Sequence, residues 1–104
     1  MSKHVAFTPA AREELRAASR WYEEQRFGLG RELLAAVREA IQRVRENPAA
    51  GARVPQVPRS LPARRVLLRR FPYALVYLER PDETRLLAVA HLHRAPGYWR
   101  DRVE

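Results

Sequence analysis

Two arginine pairs, Arg64-Arg65 and Arg69-Arg70, flank the apolar run Val66-Leu67-Leu68, and His91, His93, Arg94 and Tyr98 crowd a short stretch near the end of the chain. A guanidinium keeps its charge and forks onto phosphate or carboxylate oxygens. Arginines alternating outward on a strand can therefore track a phosphate backbone or receive an acidic peptide. Charged edges that only guard against aggregation need fewer. His91 and His93, two apart on one strand, would share a face, and histidine moves protons near neutral pH. They read better as half-buried polar residues at a strand end, because no third ligand or carboxylate lies near them in sequence. Tyr98-Trp99 can stack on a base or clamp the tail, and Trp21-Tyr22 reads as packing near a helix end.

The charge that surrounds these residues is unevenly spread. The 104-residue chain carries a formal +8, and all but one of its twenty basic residues are arginine. Nine basic residues face seven acidic ones up to Gly51, and eleven face five beyond it. The excess lies in the second half, where it suits nucleic acid or an acidic protein. The absence of cysteine excludes disulfides and thiolate zinc sites. No apolar run reaches the roughly 18 residues of a membrane span, and MSKHVAFTPAAREEL lacks the apolar core of a signal peptide. The expectation is one cytoplasmic domain over residues 1–104, with no membrane contact, metal, cofactor or small-molecule substrate.

The elements that must position these groups follow from periodicity. Lys3 to Thr8 alternates and predicts a strand. Thr8-Pro9 opens a helix to about Arg26, with Ala11, Leu15, Ala18 and Tyr22 on its apolar side and Glu13 and Glu14 on its wet side. Phe27-Gly28-Leu29-Gly30 breaks it, and Leu33, Leu34, Val37, Ile41 and Val44 mark a second helix that Asn47-Pro48 stops. So short a turn makes an antiparallel hairpin. Residues 49–63 read as a loop, and three strands follow over 64–70, 73–79 and 85–93 as an antiparallel meander. One helical turn is expected around Tyr98 and Trp99. The fold class is α+β in the order β-α-α-β-β-β. Val66, Leu68, Leu75 and Tyr77 should face the helices. Arg65, Leu67, Arg69, Ala74, Val76 and Leu78 lie opposite, on a face apolar enough to need a cover.

The segments WYEEQRFGLG, ENPAAG, RRVLLRRFPYALVY and LLAVAHLHRAPGYW, in that order and spacing, resemble the RelE/ParE superfamily of toxins over nearly the whole chain. The resemblance implies growth arrest, neutralised by a small antitoxin encoded alongside whose C-terminal part wraps the toxin. Some members cut mRNA on the ribosome without a metal, using lysines and arginines plus a C-terminal tyrosine; others poison DNA gyrase. Placed on this chain, the cleaving pattern finds Arg65 and Tyr98, with Arg94 able to substitute. It meets Leu67, Ala74 and Leu92 where cations are expected. Three absent cations, at about 3 kcal/mol or more each, remove most of that chemistry, which leans the chain towards the ParE-like side and a gyrase-like target. Arg64, Arg65, Arg69, Arg70, Val76 and Leu78 are then expected to bind antitoxin or target. The alternatives are a ribosome-dependent endoribonuclease using Arg65, Arg94 and Tyr98, a DNA-binding module, or a degenerate toxin. Against DNA binding, the second helix balances Arg31, Arg38, Arg43 and Arg45 with Glu32, Glu39 and Glu46.

Overall fold

Thr8 caps the first helix by accepting the Ala11 N–H at 3.1 Å, and Pro9 occupies the first position, where its missing donor costs nothing. A computed structural model describes residues 3–103, with helices α1 (Pro9–Gln25) and α2 (Leu29–Glu46) and strands β1 (His4–Phe7), β2 (Ala52–Arg53), β3 (Arg64–Leu67), β4 (Tyr73–Glu79) and β5 (Glu83–His91). Gly28 turns the hairpin at φ +88°, a left-handed conformation that glycine adopts without strain. The Glu23 carboxylate, reaching over from α1, accepts the N–H groups of Gly28 at 2.9 Å and Gly30 at 3.0 Å. It thereby caps α2, whose own first residues offer no side chain for the task. Those two backbone bonds, Gly28's first, hold the Glu23 carboxyl below its ordinary range. No helix among the described residues is long and apolar enough to cross a membrane.

The strands form one mixed sheet in the order β1-β5-β4-β3-β2, with β1 parallel to β5 and every other neighbour antiparallel. The expected order of elements holds, with the two-residue β2 as an addition inside the stretch expected to be a loop. Val66, Leu68, Leu75 and Tyr77 pack against Leu33, Val37, Ala40 and Val44 of α2, as alternation requires. The Tyr77 ring is buried there. Its hydroxyl donates to Pro48 O at 2.6 Å and accepts the Gly51 N–H at 3.0 Å, which pins the start of the long loop to the sheet.

The opposite sheet face has a core of its own. Between β4 and β5 the register slips: Val76 faces Ala88 and Tyr77 faces Leu86, so Leu87 is the extra residue of a bulge. Leu87 and Ala88 both join this second cluster, with Val76, Leu78, Val54, Ala63 and Trp99. Val76 and Leu78, expected to stand open to a partner, are only 3% and 7% exposed. The face does need a cover, but the chain supplies it. The loop brings Val54 and Ala63, joined by a 3.1 Å backbone bond, and the tail brings Trp99, 2% exposed. Truncating a buried tryptophan typically costs about 3–5 kcal/mol, so the tail is structural.

Candidate functional site

Where this cover ends, a cleft of about 140 Å³ opens beside the start of β4 and the end of β5. Val54, Ala74, Val76 and Trp99 are its buried lining, and Arg65, His91, Leu92, Arg94 and Tyr98 stand around them. Arg65 is thus brought to Arg94 and Tyr98, which lie about thirty residues further along the chain. The chain carries hydrocarbon at all three positions where the resemblance implies cations, and two of them, Ala74 and Leu92, line the cleft. Leu67, paired with Ala74 across β3 and β4, is 52% exposed, Leu92 is 44% exposed, and Ala74 is buried. Arg65 and Arg94 stand around the cleft with one exposed leucine, Leu92.

Tyr98 is held by a network that sequence reasoning missed. Its hydroxyl donates to Glu14 Oε2 at 2.8 Å. Arg102 grips the same carboxylate with both terminal nitrogens, at 2.9 and 3.1 Å, and Glu14 Oε1 also accepts the Val89 N–H at 3.0 Å. Arg102 further donates to Leu87 O at 3.1 Å. The cause lies in the sheet. β1 pairs with β5 only as far as Leu86, so the backbone groups of β5 beyond it need other partners, and α1 and the tail supply them. Burial first, then the bond to Glu14, pushes the Tyr98 hydroxyl up to about 12. Such a phenol stays protonated near neutral pH, and its proton is already committed to a carboxylate. The Arg94 guanidinium lies over the Tyr98 ring, 3.8 Å from its centre, and closes that side of the cleft.

The arginine cluster does not act as one surface. β3 ends at Leu67, so Arg69 and Arg70 sit in the following turn, where Arg70 has φ +73°. Arg70 pairs with Glu32 at 2.7 Å and Arg69 with Glu39 at 3.6 Å, both on α2. Arg64 donates to Gly51 O at 2.7 Å and ties down the loop. Arg65 alone of the four lines the cleft. The expectation of arginines alternating outward along one strand fails because the strand is too short to carry them. β5 likewise ends at His91, which leaves His93 in a turn rather than on a shared strand face. The two rings still meet, 5.0 Å apart, and the His93 N–H donates to His91 Nδ1 at 3.1 Å. That bond uses one nitrogen of His91, and Tyr73 packs edge-on against its ring. The expected turn near Tyr98 and Trp99 forms slightly later, as a 3₁₀ turn over Arg100–Arg102.

Glu14 carried a readable signal. It lies three residues after Ala11 and four before Ala18, the two buried residues of α1, so a carboxylate interrupts the apolar stripe.

A model of the family described as the ParE toxin of the type II toxin–antitoxin system, parDE, matches residues 5–96. Among solved structures, the chromosomal ParDE TA system from P. aeruginosa superimposes with a TM-score of 0.63 at 21% identity, covering 86% of this chain and 96% of that one. At that identity the likeness is one of fold. No curated protein matches the chain by sequence.

Proposed function

Because the chain belongs to the ParE toxin family of type II toxin–antitoxin systems, we propose that it arrests growth by binding a protein target, DNA gyrase, and that a cognate antitoxin neutralises it in the cytoplasm. The observation that carries this reading is the cleft mouth. Exposed Leu92 beside Arg65 and Arg94, over an apolar lining of Ala74 and Val76, suits a protein surface with an apolar group and a carboxylate, since arginine is enriched at protein interfaces. A phosphodiester in the same place would meet Ala74 and Leu92 where the cleaving pattern has cations, and the tyrosine proton that would serve a leaving oxygen is bound to Glu14.

One observation favours a second reading, cleavage of mRNA: Arg65, Arg94 and Tyr98 do converge on one cleft. Growth inhibition separates the two. On the binding reading, Arg65→Glu and Leu92→Glu each weaken arrest about tenfold or more at unchanged thermal stability. Tyr98→Phe then keeps it, and cellular mRNA stays intact. Loss of arrest in Tyr98→Phe, together with mRNA cut within ribosome-bound frames, establishes the nuclease instead.

A further inference from the structure

The acids that balance the arginines of α2 in sequence are used up inside the molecule. Glu32 pairs with Arg26 at 3.1 Å and Arg70 at 2.7 Å, and Glu39 with Arg43 at 2.8 Å and Arg69 at 3.6 Å. Glu23, near the end of α1, is committed to the amides of Gly28 and Gly30. Among the described residues Arg12, Arg38 and Arg45 enter no ion pair. Arg16 and Arg20 reach Glu13 only at 3.8 and 3.5 Å, with every side chain involved at least 62% exposed, so these pairs are loose and contribute little. The balance of charge along α2 therefore does not extend to its outer surface.

Arg12, Arg16 and Arg20 recur every fourth residue of α1, a rise of about 6 Å each, and Arg38 and Arg45 stand seven apart on α2, a rise of about 10 Å. All five are exposed. They border two hollows on the outer side of the helix hairpin. One of about 300 Å³ sets Arg12, Arg16 and Arg20 around Leu15 and Leu34, and one of about 360 Å³ sets Arg38 and Arg45 beside Ile41 and Phe7. Arg12 lies over the Phe7 ring, 5.3 Å from its centre, so the two hollows adjoin. Leu15, Leu34 and Ile41 are half-buried, and the large apolar side chains that stand exposed, Trp21, Phe27, Leu67 and Leu92, line neither hollow. The hairpin packs on one face of the sheet through Leu33, Val37 and Val44, whereas the cleft of Arg65 opens on the other.

We propose that this outer helix face contacts duplex DNA, with Arg12, Arg16, Arg20, Arg38 and Arg45 holding backbone phosphates and reading no sequence. A guanidinium forks onto phosphate oxygens, and contacts of that kind position a protein on a duplex without entering a groove. A groove-reading helix is therefore not required. The surface chemistry selects the occupant. A protein partner needs an exposed apolar or aromatic anchor, a single strand needs exposed aromatic rings to stack on, and a bilayer needs an apolar face turned outward. This face offers none of the three and has unmatched cations in rows. DNA binding goes beyond the toxin reading and does not depend on it. Only one consequence does: a chain lying on DNA by its helices turns its cleft away from the duplex, towards a target that itself works on DNA.

The test titrates the full chain into a labelled duplex of about 20 base pairs and follows fluorescence anisotropy between about 50 and 200 mM salt. Five phosphate contacts give a slope of log affinity against log salt of about −4.5, a loss of about 500-fold over that range. A duplex of unrelated sequence should bind within about twofold of the first. The triple variant Arg16→Gln/Arg38→Gln/Arg45→Gln should flatten the slope by about 3 and bind about tenfold or more weakly at low salt. Arg53→Gln/Arg59→Gln/Arg100→Gln, which removes equal charge from the loop and tail, should keep the wild-type slope. Thermal melts check that both fold; if the first does not, Arg38→Gln alone carries the test with a slope change of about 0.9. Equal behaviour of the two triple variants, or no binding at the lowest salt, overturns the proposal. Tighter binding to the single strand, to polyglutamate or to phosphatidylserine vesicles than to the duplex assigns the face to another occupant and also overturns it. Each of these failures leaves the toxin reading standing, because that reading is tested at the cleft by Arg65→Glu.

Discussion

Tyr98 shows how one residue type supports two chemistries that only its neighbours separate. In the sequence it is a lone tyrosine in the position of a proton donor; in the fold its hydroxyl closes a network of Glu14, Arg102 and the Val89 amide. Burial and Glu14 raise it from an ordinary 10.0 to about 12. A group that holds its proton more tightly folded than unfolded adds stability below its ordinary value and loses it as pH rises through the folded one. Melting temperatures should accordingly fall between pH 10 and 12, and the part of that fall due to this phenol should be missing in Tyr98→Phe. Near neutral pH the same variant should lose about 1–2 kcal/mol from its melts, the worth of one hydrogen bond to a charged group. Glu14→Gln strikes the same network harder, because Arg102 keeps its charge and loses its counterion. We expect a loss of about 2 kcal/mol by denaturant titration, discounted from the value for a fully buried pair. Glu14 escaped the sequence reading because Glu13, beside it, is plainly on the wet side, and an adjacent pair of acids reads as one solvated face. The distinction needs the tail, and the tail's position is not written in α1.

At the scale of elements, local chemistry was legible wherever it acts alone. Thr8-Pro9 starts α1, Asn47-Pro48 ends α2, and β4 runs over Tyr73–Glu79 as alternation predicts. What pairing decides was hidden. β3 stops at Leu67, the two residues of β2 exist only because β3 lies beside them, and the bulge at Leu87 is a property of the register with β4. The cover over Val76 and Leu78 was hidden for the same reason, since Val54, Ala63 and Trp99 have no common period. The helix hairpin offers a test of packing at this scale. A Cβ at Gly30 would stand 2.7 Å from Ser19 O on the facing helix, and that oxygen is backbone and cannot move aside. Gly30→Ala should cost about 1–3 kcal/mol in thermal or chemical denaturation, despite alanine's better helix propensity.

Across the whole molecule, charge and apolar surface are divided between two places. The cleft beside the start of β4 and the end of β5 sets Arg65 and Arg94 with Leu92, while the β1 edge sets Arg12, Arg38 and Arg45 with Phe7 and Ile41. Most of the remaining arginines are spent on internal links such as Arg64 to Gly51, Arg70 to Glu32 and Arg102 to Glu14. The family was legible from four short segments in register. Arg65, Arg94 and Tyr98, singled out by residue type, line one cleft, whereas Val76 and Leu78, expected to stand open, are buried by the tail and loop.

If DNA gyrase is the target that the cleft meets, its supercoiling activity is the direct readout. Wild-type chain titrated into the reaction should abolish supercoiling near stoichiometric amounts, and Arg65→Glu should require about tenfold more protein, because a rim charge that steers and anchors the complex is reversed. Undiminished supercoiling at a large excess of folded chain, with arrest of growth retained in cells, would contradict the account.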